Sequence, residues 1–249
     1  MKTPNTSDGE IQNQDCGTLY VVSTPIGNLE DITLRALRIL KTVHIIAAEN
    51  VAHTRGLCRN YGIKTLVIGY HQHNEKVKGP ELIKRLKSGL DIALVTDAGT
   101  PGISDPGAYL VSMAANDGIK ATPVPGPSAP IAALSVSGFP TDKFVFMGFL
   151  SNRPGKRKNE LSKLVSEPRT MIFFESPHRV RAMLIDLREI LGDRQIVMQR
   201  EMTKVFEEAK RGSVSVVLEH LKRSRIRGEF TLVVPGTQET TAHGLTEDL

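Results

Sequence analysis

The densest concentration of chemically useful residues in this chain is "ALVTDAGTPGISDPG", Ala93–Gly107, where a short apolar run is followed at once by three glycines, two prolines and two aspartates. Gly99 and Gly102 let main chain approach a ligand closely or take positive φ, and Pro101 and Pro106 fix the bends between them. Asp105 stands where a helix N-cap belongs, with Pro106 at the first helical position and "GAYLVSMAAN" behind it. Two more loops use the same device, "STPIGNLEDIT" and "PVPGPSAP" (Pro123–Pro130); in the second, Ser128 is placed to cap a helix and to offer amides to a carboxylate. Neither G-x-x-x-x-G-K-[ST] nor G-x-G-x-x-G occurs at these junctions, so both common phosphate cradles are unsupported. Three Gly/Pro loops without phosphate chemistry suit a nucleoside ligand that carries a carboxylate.

The elements that must position these loops read as strands alternating with helices. "TLYVVSTP", "HIIAA", "TLVIGY", "DIALVT" and "IKATPVPG" read as strands. Between them "EDITLRALRILKTV", "TRGLCRNYG", "PELIKRLKSG" (begun by Pro80), "AYLVSMAANDG" and "PSAPIAALSVSG" read as helices. Such alternation predicts an α/β layered fold with a largely parallel sheet. After "FPTDK" (Phe139–Lys143) the pattern resumes with strands in "FVFMGFL", "RTMIFFES", "RQIVMQREMT" and "GEFTLVVPG", and helices in "KNELSKLVSEP", "RVRAMLIDLREILG" and "VSVVLEHLKRS". The expected organisation is a tail over 1–17, an α/β domain over 18–139, a second α/β domain over 140–236 and a tail over 237–249, both tails disordered because they are polar and aperiodic.

At 249 residues and 40% hydrophobic, the chain can bury a full core. Its apolar runs are broken well before the roughly 18–20 residues a membrane span needs, and no signal-peptide core is visible, which predicts a soluble, cytoplasmic protein. Cys16 and Cys58 form neither a disulfide framework nor a C-x-x-C metal pattern, and no metal site is expected. Most of the formal charge of +5 lies beyond residue 140, in "NRPGKRK" (Asn152–Lys158) and "KRSRIR" (Lys222–Arg227). Both runs adjoin turn residues and read either as solvated surface or as a footprint for a polyanion such as RNA.

In order and spacing, "LYVVSTPIGNLEDITLRAL", "IIAAEN", "HQHNE", "ALVTDAGTPGISDPG", "PVPGPSAPIAALSVSGFP", "FVFMGFL", "FFESPHR" and "QREMTKVFEE" resemble the ribosomal small subunit methyltransferase I group of the tetrapyrrole (corrin/porphyrin) methylase superfamily. The resemblance covers roughly Thr18–Val234. It implies two α/β domains with S-adenosylmethionine in a cleft between them, a homodimer, and 2′-O-methylation of a cytidine in the decoding region of 16S rRNA within the 30S subunit. Carried over motif by motif, it implies cofactor contacts from Pro25, Gly27, Asp97, Ala98, Gly99, Thr100, Pro101, Ile103, Ser104, Ser128, Ala129, Phe174, Met202 and Thr231.

A ribose hydroxyl is a poor nucleophile at neutral pH, so a base or a cation beside the developing alkoxide should help. Candidates are Glu49, His73, Glu75, Glu201 and Lys204, with Glu175, His178, Arg179 and Arg200 behind them. The chain departs from the usual "AEDTR" at "AENVA", placing Asn50, Val51 and Ala52 where relatives have a carboxylate, a hydroxyl and an Arg; Arg55, a few residues on, is the candidate to substitute for the lost cation. It also stops soon after "TLVVPG", short of a small C-terminal extension that many relatives carry. Two other readings stay open: a tetrapyrrole (precorrin or uroporphyrinogen) C-methyltransferase, and a catalytically silent RNA-binding relative.

Overall fold

The structure is a computed structural model that describes residues 16–223 and 226–237. Most of both expected tails, and Ser224 and Arg225 of the second basic run, lie outside the described residues. The described chain packs as two compact units, one holding the residues up to Thr24 with Ile32–Gly126, the other Pro25–Asp31 with the residues from Pro127 onward.

In the first unit β1 (Leu19–Val22), α1 (Leu34–Thr42), β2 (Ile45–Ala48), α2 (Val51–Asn60), β3 (Leu66–Gly69), α3 (Glu75–Lys87), β4 (Ile92–Val95), α4 (Ala108–Asn116) and β5 (Ala121–Val124) alternate as expected. Every pairing is parallel, in the order β3-β2-β4-β1-β5. Strand alternation sends Ile46 and Ala48 to one face, packed with Ala36 and Leu40 of α1 and Leu57 of α2. Ile45 and Ala47 go to the other, with Leu82 and Leu86 of α3 and Leu110 of α4. A parallel sheet covered on both faces must be apolar on both, and β2 and β4 are buried at every position.

Three helix starts differ from the expected ones. A 3-10 turn over Leu29–Asp31 precedes α1, which begins only after Thr33, whose Oγ1 accepts from Ala36 N at 3.0 Å. The helix α3 starts at Glu75, not Pro80, because the Asn74 carboxamide accepts from His71 N (2.8 Å) and the turn it closes leads straight into the helix; Pro80 lies inside. Asp105 does not cap α4: Gly102 N donates to Pro106 O (3.1 Å), holding that segment in a turn, and Gly107 with φ 140° takes the capping position.

In the second unit α5 (Ala129–Ser135), β6 (Phe144–Phe149), α6 (Pro154–Ser162), β7 (Thr170–Glu175), α7 (Val180–Leu191), β8 (Gln195–Arg200), β9 (Glu208–Ser213), α8 (Val214–Arg223) and β10 (Phe230–Val234) build a sheet of order β6-β7-β10-β8-β9. Only β6 and β7 pair in parallel; the other three pairings are antiparallel. One face packs Phe173, Met198 and Leu232 against Leu161, Met183, Leu187 and Val217 of the later helices. On the opposite face Ile172, Val197 and Val233 receive Ala133 and Leu134 of α5. That packing explains why the units divide at Gly126 and Pro127 instead of near Pro140: the segment that reads as the last helix of the first domain covers the second sheet.

The strand β9, "EAKRGS", has no apolar alternation and was not expected; its ladder with β8 runs from Glu208 opposite Arg200 to Ser213 opposite Gln195. The run "NRPGKRK" is not a loop. It forms the first turns of α6, where Arg157, only 4% exposed, is ion-paired with Asp186 at 2.6 Å and Lys158 with Glu189 at 2.7 Å. Arg157 is thereby removed from any polyanion footprint, while Lys158 stays at the surface, engaged by a carboxylate.

Candidate active site

The topology places the three Gly/Pro loops side by side. They follow β1, β4 and β5, and those strands are neighbours in the first sheet. Ligands of open α/β sheets bind outside the carboxyl ends of the strands, where these loops stand. Thr24 and Gly99 exchange backbone hydrogen bonds at 2.9 and 3.0 Å, Ser23 and Thr100 share a hydroxyl contact at 2.8 Å, and Thr24 Oγ1 donates to Thr96 O at 3.1 Å. Gly99 and Gly102 take φ of 77° and 84°, and Ser104 takes 63°, a left-handed conformation that costs a side-chain-bearing residue about 1–3 kcal/mol. The result is a rigid wall of backbone over Asp97–Ser104. Two buried side-chain oxygens at it, Thr96 Oγ1 and Asp97 Oδ1, have no hydrogen-bond partner among the described residues. An unsatisfied buried carboxylate oxygen suits a ligand with hydroxyl, amino or cationic groups and repels phosphate.

The other half of the same edge, beyond β2 and β3, opens into a cavity of about 520 Å3 lined by Glu49, His71, Gln72, His73, Glu75 and the turn from Ser104 to Tyr109. The structure therefore brings together three of the expected catalytic residues, Glu49, His73 and Glu75, with Ser104 of the expected cofactor loop. Glu49 joins the two halves: its Oε2 accepts from Asp97 N at 3.3 Å. Helices α2, α3 and α4 all begin at this edge, and the cavity wall includes Glu75, the first residue of α3, and Ala108, the first of α4. Beneath it, burial and the neighbouring Glu75 carboxylate push the Tyr70 phenol up to about 12. Among the described residues no group of three His, Cys, Asp or Glu side chains is arranged to hold a metal ion.

The substituted motif "AENVA" has a local explanation. Asn50 is the N-cap of α2, and its Oδ1 accepts from Ala52 N (3.0 Å) and His53 N (3.2 Å), a role that an aspartate fills equally well. Ala52, His53 and Arg55 are exposed on the first turns of that helix.

The remaining expected residues lie in the second unit. Glu201 and Lys204 are bonded to each other at 2.8 Å, and Lys204 also reaches Glu229 at 3.0 Å. Burial pushes the Glu201 carboxyl up, but its bonds from Lys204 and the Glu229 amide outweigh that and leave it below the ordinary range. Burial likewise pulls Lys204 down, and its two carboxylate partners carry it above the ordinary lysine range. A lysine held charged in this way is a structural cation and not a proton acceptor. Gly27 packs on the same loop: a Cβ there would meet Lys204 Cγ at 2.5 Å, Thr203 Oγ1 at 2.7 Å and Met202 O at 2.9 Å. Pro25 belongs to the same short segment of this unit.

Ser128 takes the N-cap position of α5 without a side-chain cap bond, and Ala129 is its first residue. Phe174 and Thr231 pair across β7 and β10, and Phe174 touches the rings of Phe146 and Phe149. Met202 packs against the α5 face. Glu175 is buried beside Arg179 at 3.2 Å; burial pushes its carboxyl above the ordinary range despite the Ser176 amide and that guanidinium. Arg200 pairs with Glu208 at 3.0 Å, and His178 is exposed after β7. Sequence reasoning gave no site role to Ser23 and Thr96, which lie inside the quoted motifs, or to Tyr109, and read Asp105 only as a helix cap; the structure puts the first two behind the loop and the last two on the cavity wall.

The family of tetrapyrrole (corrin/porphyrin) methylases matches residues 18–217. Among curated proteins, "Ribosomal RNA small subunit methyltransferase I" of Xylella fastidiosa is 47% identical over 234 residues, covering 93% of this chain and 86% of the relative. The protein of the same name from Bacillus subtilis is 48% identical, covering 90% and 76%. Among solved structures, uroporphyrin-III C-methyltransferase from Thermus thermophilus aligns with a TM-score of 0.63 at 21% identity over 88% of this chain and 94% of that one. A form of that enzyme complexed with S-adenosyl homocysteine aligns with the same score at 18% identity, covering 88% and 97%. The distant structures establish the fold, and the close sequence relatives the branch: the chain belongs to the tetrapyrrole (corrin/porphyrin) methylases and, within them, to the ribosomal RNA small subunit methyltransferase I family.

Proposed function

We propose that this chain is an S-adenosylmethionine-dependent methyltransferase of small-subunit ribosomal RNA, that the methylated atom is the ribose 2′-oxygen of a cytidine in the decoding region, and that it acts in the cytoplasm, as a homodimer, on the 30S particle. The observation that carries the reading is the divided carboxyl edge of the first sheet, where a phosphate-repelling backbone wall and a titratable cavity share Ser104 and the Glu49–Asp97 bond. Close relatives bearing the rRNA methyltransferase name favour it over a tetrapyrrole substrate, for which the likeness is at the level of fold. No helix among the described residues is long and apolar enough to cross a membrane.

The residues of the wall fit the cofactor. Asp97 and Thr96 offer unsatisfied acceptors to a ligand rich in hydroxyl and amino groups, and the glycines at 99 and 102 let main chain come close to it. When bound, S-adenosylmethionine supplies a methyl group made electrophilic by its sulfonium. Glu49, fixed through Oε2 by the Asp97 amide, keeps its other oxygen for the substrate and accepts the proton of the attacking hydroxyl. His73 and Glu75 hold the nucleotide in place from the opposite loop. Positioning supplies much of the remaining rate, because an oriented pair reacts as one molecule.

The test is primer extension at low dNTP on 16S rRNA from cells lacking the gene, before and after their 30S subunits are treated with purified protein and S-adenosylmethionine. A new stop at one decoding-region cytidine is the expected result. Its absence, with cofactor binding intact by calorimetry, overturns the reading.

A further inference from the structure

The chain carries a net charge of +5, yet no lysine or arginine lines the cavity, which instead holds Glu49, Glu75 and Asp105. Three carboxylates against two histidines, His71 and His73, leave the wall acidic on balance, which disfavours the phosphodiester backbone of an RNA there. What fits is a neutral, flat group with hydrogen-bond donors, and a cavity of about 520 Å3 lies within the usual range for small-ligand sites. Resting on the function proposed above, we infer that this cavity takes the extruded base of the target nucleotide and that Glu75 reads its exocyclic amine.

Of the three carboxylates, Glu49 is engaged by the Asp97 amide and Asp105 sits in the strained turn before α4. Glu75 stands at the first position of α3 with its side chain on the cavity wall. An ionised carboxylate only accepts, so it pairs with the 4-amino group of cytosine and repels the O4 of uracil. Tyr109, 38% exposed on the cavity wall, offers a ring against which a base can stack. Sites built on a buried hydrogen bond discriminate far more sharply than shape alone, because the wrong ligand leaves a polar group unpaired.

The experiment uses the full chain and rRNA substrates in which the target cytidine is replaced by uridine or by 2-pyrimidinone riboside. Wild-type protein should prefer cytidine to either replacement by at least about 100-fold in kcat/KM. Glu75→Gln, whose amide can donate to O4, should lose about 30-fold or more on cytidine, gain on uridine, and leave S-adenosylmethionine binding unchanged. Equal use of cytidine and uridine by the wild type, or a Glu75→Gln variant that slows both substrates alike, overturns the inference. Fluorescence anisotropy with short RNAs differing only in that one base gives the second readout. If no rRNA is methylated at all, the proposed function fails, and the inference is judged by whether this binding prefers cytidine and loses that preference in Glu75→Gln.

Discussion

Replacing Asn50 by alanine removes two hydrogen bonds to the start of α2, from Ala52 N and His53 N, and leaves those amides without an intrahelical partner. Loss of such a cap costs about 1 kcal/mol, within a range of roughly 0.5–2. For a unit of this size that corresponds to a fall of about 4 °C in its melting temperature. Asn50→Asp keeps both acceptors and adds a negative charge at the positive end of the helix, worth about 0.3–1 kcal/mol, so it should melt at or slightly above the wild type. Because Glu49 immediately precedes the cap, a frayed α2 also loosens the proposed base. Asn50→Ala should therefore lower methyl-transfer kcat severalfold, and Asn50→Asp should retain it. Differential scanning calorimetry with single-turnover kinetics reads both quantities. An Asn50→Ala protein that melts with the wild type, or an Asn50→Asp protein that melts as low as the alanine variant, refutes the capping argument. A catalytic loss confined to Asn50→Asp would instead show that the added charge, and not the cap, controls the substrate site.

Three further outcomes follow from the second unit. Arg157→Met strands Asp186 in the interior and should destabilise by about 3–5 kcal/mol, whereas the double change Arg157→Met with Asp186→Leu should recover most of it, as guanidinium denaturation would show. Burial raises the folded-state pKa of Glu175 above its unfolded value, so this group favours the folded state at low pH and that advantage is lost as pH climbs through the folded-state value. Glu175→Gln should thus gain stability relative to the wild type between pH 4 and pH 8, and a gap that narrows over that window in urea titrations would contradict the assignment. Gly228 has φ of 83°, and a Cβ there would lie 2.3 Å from Glu201 Cδ; Gly228→Ala should displace the Glu201 side chain, break its bonds to Lys204 and the Glu229 amide, and lower the melting temperature, with no change expected if that cluster were not load-sharing.

The first unit was legible because its strands are short apolar runs followed by Gly or Pro, and because a parallel sheet covered on both faces leaves a simple alternation to read. The second was less so. The strand β9 has a polar sequence because it is an edge strand, held by its ladder to β8 and not by a buried face, and edge strands favour charges such as Lys210 and Arg211. Pro80 misled because it resembles a helix start, while the turn made by Asn74 sets the real one through a side-chain bond that spacing does not reveal. The helix α5 was given to the wrong sheet, since periodicity shows that a face is apolar and not which sheet it covers.

Within the site, Glu49, His73 and Glu75 were recognisable as candidates from their chemistry, and the parallel topology explains why they converge. Glu201 and Lys204 carry equally suggestive side chains, yet they pair with each other three residues apart, and Lys204 also meets Glu229, distant in sequence. The basic run at Asn152–Lys158 likewise lost two of its charges to carboxylates on α7.

The most direct test of the divided edge is a pair of variants measured side by side for cofactor binding by calorimetry and for single-turnover methyl transfer to 30S subunits. Asp97→Asn changes the unsatisfied carboxylate of the wall and should weaken S-adenosylmethionine binding tenfold or more. Glu49→Gln keeps an oxygen for the Asp97 amide but cannot take a proton, so it should bind the cofactor within about threefold of the wild type and transfer methyl at least 100-fold more slowly, the lower end expected for a general base. A Glu49→Gln protein that transfers methyl at the wild-type rate, or an Asp97→Asn protein that binds cofactor normally, contradicts the account.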